Sequence, residues 1–273
     1  MKAKSPKRKE TLIEEIAKFP VVDLIGLVDA SGVGAGISKG EKLWTLAFTF
    51  DAWKLKNGTI CKAPLTVRRQ VTEKSLRKFQ VLIDSESIVH IRARLAVQNS
   101  VGFPQALLEK FIRIVPDDSE LNDFLIQLKK PVTFKASKFG IFTLDRRIKW
   151  FRAQKVWCGT EIKLNLAADV STEVSQALDV AKQLWKSARK WNSRIQDFAI
   201  RKLLPLKNNS WDEEDGHEVT ETEFKKRMTL ECITVYPDGS FDFWHYDGDL
   251  FYGHSIEVNG TLSRGPTHAG IVG

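Results

Sequence analysis

The densest group of side chains able to do chemistry in this chain is His245, Asp247, Asp249 and His254, two imidazoles and two carboxylates close together in sequence. Such a set can hold a divalent cation, and a histidine beside a carboxylate can act as a general base. Its setting argues for a plainer role. Asp247-Gly248-Asp249 is ordinary turn chemistry, and alternation along a strand sends neighbouring side chains to opposite faces, which scatters the group. No His-Glu-x-x-His or Cys-x-x-Cys spacing occurs in the chain, so no metal and no cofactor are expected and no catalytic residue is assigned. Ser31-Gly-Val-Gly-Ala-Gly36 could cradle a phosphate through backbone N–H groups. It lacks the Gly-Lys-Ser/Thr ending of a P-loop, however, and the residues after it read as strand, so a flexible interstrand loop is expected.

Two further groups suit binding. On the run Ser87 to Ala96, a period of two puts Val89, Ile91, Ala93 and Leu95 on one face and His90, Arg92 and Arg94 on the other. Arg68 on a neighbouring strand and Lys74, Arg77 and Lys78 on a helix extend this basic face, which could track a nucleic-acid backbone. Aromatic side chains that stack on bases are not interleaved with these charges, and a solvated strand face is the competing reading. The second group is aromatic. Six of the eight tryptophans lie beyond residue 149. Trp244 shares a strand face with Asp242 and Tyr246, opposite Phe241 and Phe243, and Trp185 sits beside the apolar stripe of a helix. Aromatics off a core face are candidate interface anchors, which makes Trp244, Tyr246, Asp242 and Trp185 the expected partner-binding residues.

The elements that must position these residues emerge from composition and pattern. A chain of 273 residues, 42% hydrophobic and 28% charged, has room for two folded domains. No apolar run approaches the roughly 18 residues of a membrane-spanning helix, and the charged N-terminus has no apolar segment behind it, so no membrane partner is expected. Cys61, Cys158 and Cys232 are odd in number and far apart, which suits a reducing cytoplasm. The net charge of +8 is lopsided: residues 1–130 carry 22 basic and 15 acidic side chains, residues 131–273 carry 20 and 19. Residues 1–10 read as a basic flexible tail.

The fold class expected is α+β. Residues 11–132 form a β-rich α+β domain, compatible with a small, partly open barrel. It comprises a short helix opened by the capping box Thr11 to Glu14, strands at Val21 to Ala30, Leu43 to Phe50, Pro64 to Val71 and Ser87 to Ala96, and helices at Thr72 to Leu82, Gln105 to Ile114 and Ser119 to Lys129. Residues 133–273 form an antiparallel sheet packed on one long helix, Thr172 to Leu204. The sheet comprises strands at Phe139 to Leu144, Ile148 to Phe151, Lys155 to Trp157 and Glu161 to Leu166, a hairpin around Pro237-Asp238-Gly239, and strands at Leu250 to Val258 and His268 to Val272. An acidic loop, Asp212 to Asp215, precedes a second capping box at Thr220 to Glu223.

The second half carries Phe142-Thr-Leu-Asp-Arg146, Val156-Trp-Cys-Gly159, Leu230 to Trp244 and Asp247-Gly-Asp-Leu-Phe-Tyr-Gly-His-Ser-Ile256 in an order that resembles the bacterial family called domain of unknown function 2262. The resemblance spans roughly residues 138 to 273 and implies no established activity. The closing pattern is also similar to the ends of small bacterial domains of toxin-immunity type. A non-catalytic cytosolic binding protein is therefore expected, one of immunity or conflict type that blocks a protein partner. The alternative is a nucleic-acid-binding protein using the basic face of the N-terminal domain.

Overall fold

The computed structural model describes residues 11–137, 139–169, 171–211 and 217–273. The basic tail and the acidic loop Asp212 to Asp215 lie outside the described residues. The chain divides into two compact units between Lys130 and Pro131.

In the first unit the chain runs through α1 (Leu12–Ile16), β1 (Val21–Val28), β2 (Gly34–Gly36), β3 (Trp44–Leu55), β4 (Leu65–Val71), α2 (Glu73–Leu82), β5 (Ile88–Ala96), β6 (Gln105–Ile114) and α3 (Ser119–Leu128). The capping box forms at α1, where Thr11 and Glu14 each accept a backbone N–H from the other. β1 pairs antiparallel with both β3 and β5, β3 with β4, and β5 with β6, while β4 and β6 run parallel. Those pairings close a circuit of five strands, with β2 as a short flap on β3. A five-stranded Greek-key barrel of this kind is the OB-type arrangement.

Phe48, Phe50, Val67, Ile91, Ala93, Ala106 and Leu108 fill the barrel. A second, smaller cluster of Ile25, Leu27, Ile88, Val115 and Leu121 seats α3 on the outside of the wall. Gln105 to Ile114, expected as a helix, is the strand β6. Its Ala, Leu, Glu and Lys residues are good helix formers, but closure of the barrel needs a fifth strand between β4 and β5, and tertiary pairing overrides local preference.

The second unit contains β7 (Thr133–Ala136), β8 (Gly140–Asp145), β9 (Trp150–Trp157), β10 (Thr160–Leu166), α4 (Ser171–Lys186), α5 (Ala188–Ser210), α6 (Glu221–Arg227), β11 (Thr229–Val235), β12 (Ser240–Tyr246), β13 (Ser255–Thr261) and β14 (Gly265–Val272). Its eight strands lie in one sheet in the order β7 to β14, antiparallel throughout except for the parallel pair β10–β11. The crossover between those two strands carries all three helices. Ile162, Leu164, Leu166, Ile233, Val235, Phe241, Phe243, Ile256 and Val258 form the sheet's side of the core, and Val174, Ala177, Ala181, Leu184, Trp191, Ile195 and Phe198 the helices' side.

The hairpin predicted around Pro237-Asp238-Gly239 forms with Ile233, Val235, Phe241 and Phe243 fully buried. The single long helix is instead two. Ser187 leaves the helical region at φ −133°, ψ 38°, while the apolar stripe stays in phase across the break, with no Gly or Pro to mark it. Pro205 lies inside α5. The two short strands expected at Ile148 to Phe151 and Lys155 to Trp157 are one continuous β9, and the strand expected from Leu250 begins at Ser255. No helix among the described residues is long and apolar enough to cross a membrane.

The barrel wall is tightest at Gly26, where any Cβ would overlap the Phe50 ring. Gly26→Ala is expected to destabilise the first unit by about 1–3 kcal/mol through overpacking, read as a lowered urea midpoint. Unchanged stability would show that the wall can yield.

Candidate functional site

Period-two alternation, combined with helices on only one face, gives the eight-stranded sheet an outer face made of the residues that do not enter the core. Register places Thr143, Arg152, Asn165, Thr234, Asp242, Asn259 and His268 opposite one another, one per strand from β8 to β14. Within this row two groups form a hydrogen-bonded ladder, Arg152–Asn165–Thr234 and Asp242–Asn259. The Arg152 guanidinium pairs with the Asp145 carboxylate and donates from Nε to Asn165 Oδ1 at 3.2 Å. Asn165 Nδ2 donates to Thr234 Oγ1 at 3.1 Å, and both residues are buried although none of α4, α5 and α6 covers this face. Asp242 receives the Tyr236 hydroxyl at 2.6 Å and Asn259 Nδ2 at 2.7 Å. Burial and the adjacent Asp242 carboxylate push the Tyr236 phenol upward, which keeps it a hydrogen-bond donor.

Beside the ladder runs a second row, Gln154, Lys163, Cys232, Trp244 and Glu257. Burial, reinforced by Glu231, raises the Cys232 thiol to about 11, so it stays protonated and unreactive. Lys163 Nζ is 3.4 Å from the Glu231 carboxylate. Two open recesses share Gln154 and Lys163: one of about 410 Å³ reaches Glu161, Leu230, Glu231 and Tyr246, and the other, of about 440 Å³, reaches Ile141, Thr143 and Arg152.

Of the expected partner-binding residues, Asp242, Trp244 and Tyr246 share this outer face. Tyr246 is 61% exposed, Trp244 is half-buried, and Asp242 is engaged in the ladder. Trp185 is not with them. It packs from α4 edge-on against Trp157, with centroids 4.7 Å apart, and against Phe139, and its indole N–H donates to the Val156 carbonyl. Trp157 in turn meets Phe243 on the helix side of the sheet. Sequence reasoning missed Trp150 and Tyr236, whose rings meet edge-on at 6.2 Å, and the ladder itself. Each strand's alternation was readable, but the register that aligns seven strands was not.

The polar cluster disperses. His245 faces the core, is 1% exposed, and has no partner for its Nδ1. Asp247 is buried and accepts the backbone N–H groups of Asp249, Phe251 and Gly253 at 3.2, 2.7 and 3.1 Å, which folds residues 247–254 into a compact turn. His254 Nδ1 lies 2.6 Å from the Phe251 carbonyl, and its ring sits beside Trp211. Asp249 stands on the surface at φ 63°. Among the described residues no group of three His, Cys, Asp or Glu is arranged to hold a metal.

The basic face of the barrel is largely self-neutralised. Arg92 forks onto the Asp23 carboxylate at 3.2 and 3.3 Å, holding it below the usual carboxylate range, and Arg94 pairs with Glu109 at 2.7 Å. Arg68 donates to Gln105 Oε1 and Arg77 to Glu73, while Lys74 and Lys78 are exposed on α2. His90, expected on the solvated side, is buried at 7% and lies 3.3 Å from Asp23. Its neighbours Ile25 and Ile88 belong to the cluster under α3, which closes that part of the wall. Where β3 and β4 pair, their outward residues are Thr45, Ala47, Thr49, Thr66, Arg68 and Gln70, with no aromatic among them.

The loop and its histidine each have a measurable consequence. Asp247→Ala strands three backbone donors and should cost about 3 kcal/mol or more, whereas Asp249→Ala should cost well under about 1 kcal/mol, both read by urea unfolding. Equal effects would remove the structural role assigned to Asp247. Burial lowers His245 from 6.5 to about 4, so the unfolded chain takes up a proton that the folded chain refuses. Stability is therefore unaffected by this group above pH 6.5 and erodes as pH falls from 6.5 to about 4, by about 3 kcal/mol in all. In His245→Leu the slope of stability against pH over that window should flatten; an unchanged slope would assign the loss to other groups.

Comparison with known proteins finds family resemblances without an activity. No curated protein matches. Two solved structures of the single-stranded DNA-binding protein from Thermus aquaticus, the wild type and a deletion mutant, are similar at 13% and 14% identity. They cover 53% of this chain and 72% and 73% of theirs, with TM-scores of 0.24 and 0.23, too low to carry an argument. Residues 8–128, where the sequence shows no familiar motif, match a domain of unknown function, DUF7021. Residues 136–271 match DUF2262, described as an uncharacterized protein conserved in bacteria, so the resemblance of the second half to that family holds.

Proposed function

We propose that the protein is a non-catalytic binding protein whose C-terminal sheet presents its outer face to a protein partner. The observation that carries this reading is Tyr246, 61% exposed at the rim of a 410 Å³ recess on the same face as the half-buried Trp244. Aromatic side chains ringed by satisfied polar groups have the composition of a binding hot spot. The ladder beneath supplies a rigid floor, because its carboxylate, amide and hydroxyl groups already hold one another. The finer reading, an immunity protein that blocks a toxin, draws its support from the closing motif at Asp247 to Ile256.

A nucleic-acid reading has one observation in its favour, the Greek-key barrel, a fold that binds oligonucleotides in other proteins. Against it stand the internal pairing of Arg92 and Arg94 and the absence of outward aromatics where β3 and β4 pair.

Tyr246→Ala should weaken capture of the partner retained by immobilised wild-type protein by about thirtyfold, with the melting temperature almost unchanged. Trp244→Ala should do the same at a cost of a few degrees. Full retention by both variants would eliminate this face. Salt-sensitive retention of the wild type on single-stranded DNA, lost in the double variant Arg92→Glu and Arg94→Glu, would favour the second reading instead.

A further inference from the structure

A recess of about 370 Å³ lined by Arg194, Asp197, Phe198, Arg201, Arg264 and Pro266 lies outside the sheet face just described. It forms where α5 passes the turn between β13 and β14. Arg194, Asp197 and Arg201, spaced three and four apart, share one side of α5, and Arg264 enters from the turn. Three guanidinium groups thus border one recess. In contrast to Arg92 and Arg94, none of the three pairs with a carboxylate among the described residues.

The arginines are seated as well as gathered. Arg194 lies over the Trp191 ring at 4.7 Å and Arg201 over the Phe198 ring at 5.3 Å, contacts that orient a planar guanidinium and leave its N–H edge available. Gly265 is buried at φ 82°, and a Cβ there would overlap the Arg194 guanidinium. The φ of 82° suits glycine at this turn, and the Arg194 guanidinium packs against its backbone. The one carboxylate, Asp197, accepts the Ser193 hydroxyl at 3.1 Å and faces Lys225 Nζ at 3.8 Å. The recess therefore keeps a surplus of about two positive charges from its three arginines and one aspartate.

We infer that this recess binds the phosphate monoester group of a small molecule. Such a group carries about −1.5 to −2 charge at neutral pH, which matches the surplus, and its oxygens suit the bidentate fork of arginine. Phe198 and Pro266 give the remainder of the ligand an apolar wall. The site shares no residue with the proposed protein-binding face, so either can stand without the other.

The test is calorimetric titration of the full chain with inorganic phosphate, adenosine 5′-monophosphate and adenosine. Phosphate and the monophosphate should bind and adenosine should not. Arg194→Ala, Arg201→Ala and Arg264→Ala should each weaken binding about tenfold or more, and Arg194→Lys, which keeps the charge and loses the fork, should also weaken it. Tyr246→Ala should leave it unchanged. Arg264 stands exposed in a turn, so its variant keeps the test valid if Arg194→Ala unsettles Trp191. The inference is overturned by no binding of either phosphate ligand at about 10 mM, by equal binding of adenosine and its monophosphate, or by binding indifferent to all three arginines. It is also overturned if a short oligonucleotide binds equally with a 5′-phosphate and a 5′-hydroxyl, which would mark a backbone track.

Discussion

The parallel pairing of β10 with β11 is the constraint on which the second unit depends. Two parallel neighbours cannot be joined by a tight turn, so the chain must leave the sheet and return, and α4, α5 and α6 lie over one face on the way. Most of the sheet's apolar side chains are drawn to that face. The opposite face receives what remains from each strand's alternation, and a polar ladder with aromatic flanks is the result. The same crossover brings α5 beside β14, and with it the arginines that meet the turn before that strand.

A sheet face without helices does not need to bury polar groups, yet Asn165 and Thr234 are buried there. They tolerate it because each is matched to a neighbour in register, from Arg152 through Asn165 to Thr234, and again among Tyr236, Asp242 and Asn259. Within the first group the members depend on one another, since losing Asn165 leaves the buried Thr234 hydroxyl without that partner. Asp247 solves a similar problem locally. Its buried carboxylate takes three backbone N–H groups that the tight turn of residues 247–254 cannot pair with carbonyls. The most recognisable motif of the chain is thus a folding device.

Features set by near neighbours were legible in the sequence. The Thr11 capping box, the turn at Pro237 to Gly239 and the burial of Phe241 and Phe243 each depend on a few adjacent residues. Features set across long separations were not. Gln105 to Ile114 has the composition of a helix and becomes a strand because the barrel closes around it. Arg92 reads as a free cation until Asp23, 69 residues away, is placed beside it. Trp185 and Trp244 read as one class of off-stripe aromatic until the sheet puts them on opposite sides. The arginine recess escaped notice because charges counted along the chain cancel, whereas charges gathered on one side of α5 do not.

The parallel seam also orders assembly in time. β7 to β10 are successive neighbours in sequence, as are β11 to β14, so each half of the sheet can zip from local contacts. The seam joins Lys163–Leu166 to Cys232–Val235 only after the intervening helices have been ordered, and the entropy of that loop must be met before its contacts reward it. On this argument the two halves are expected to form first and the seam last. A long connector between two self-complementary pieces is also the arrangement that lets copies exchange halves, so at high concentration during refolding the seam is the place where one chain can complete another.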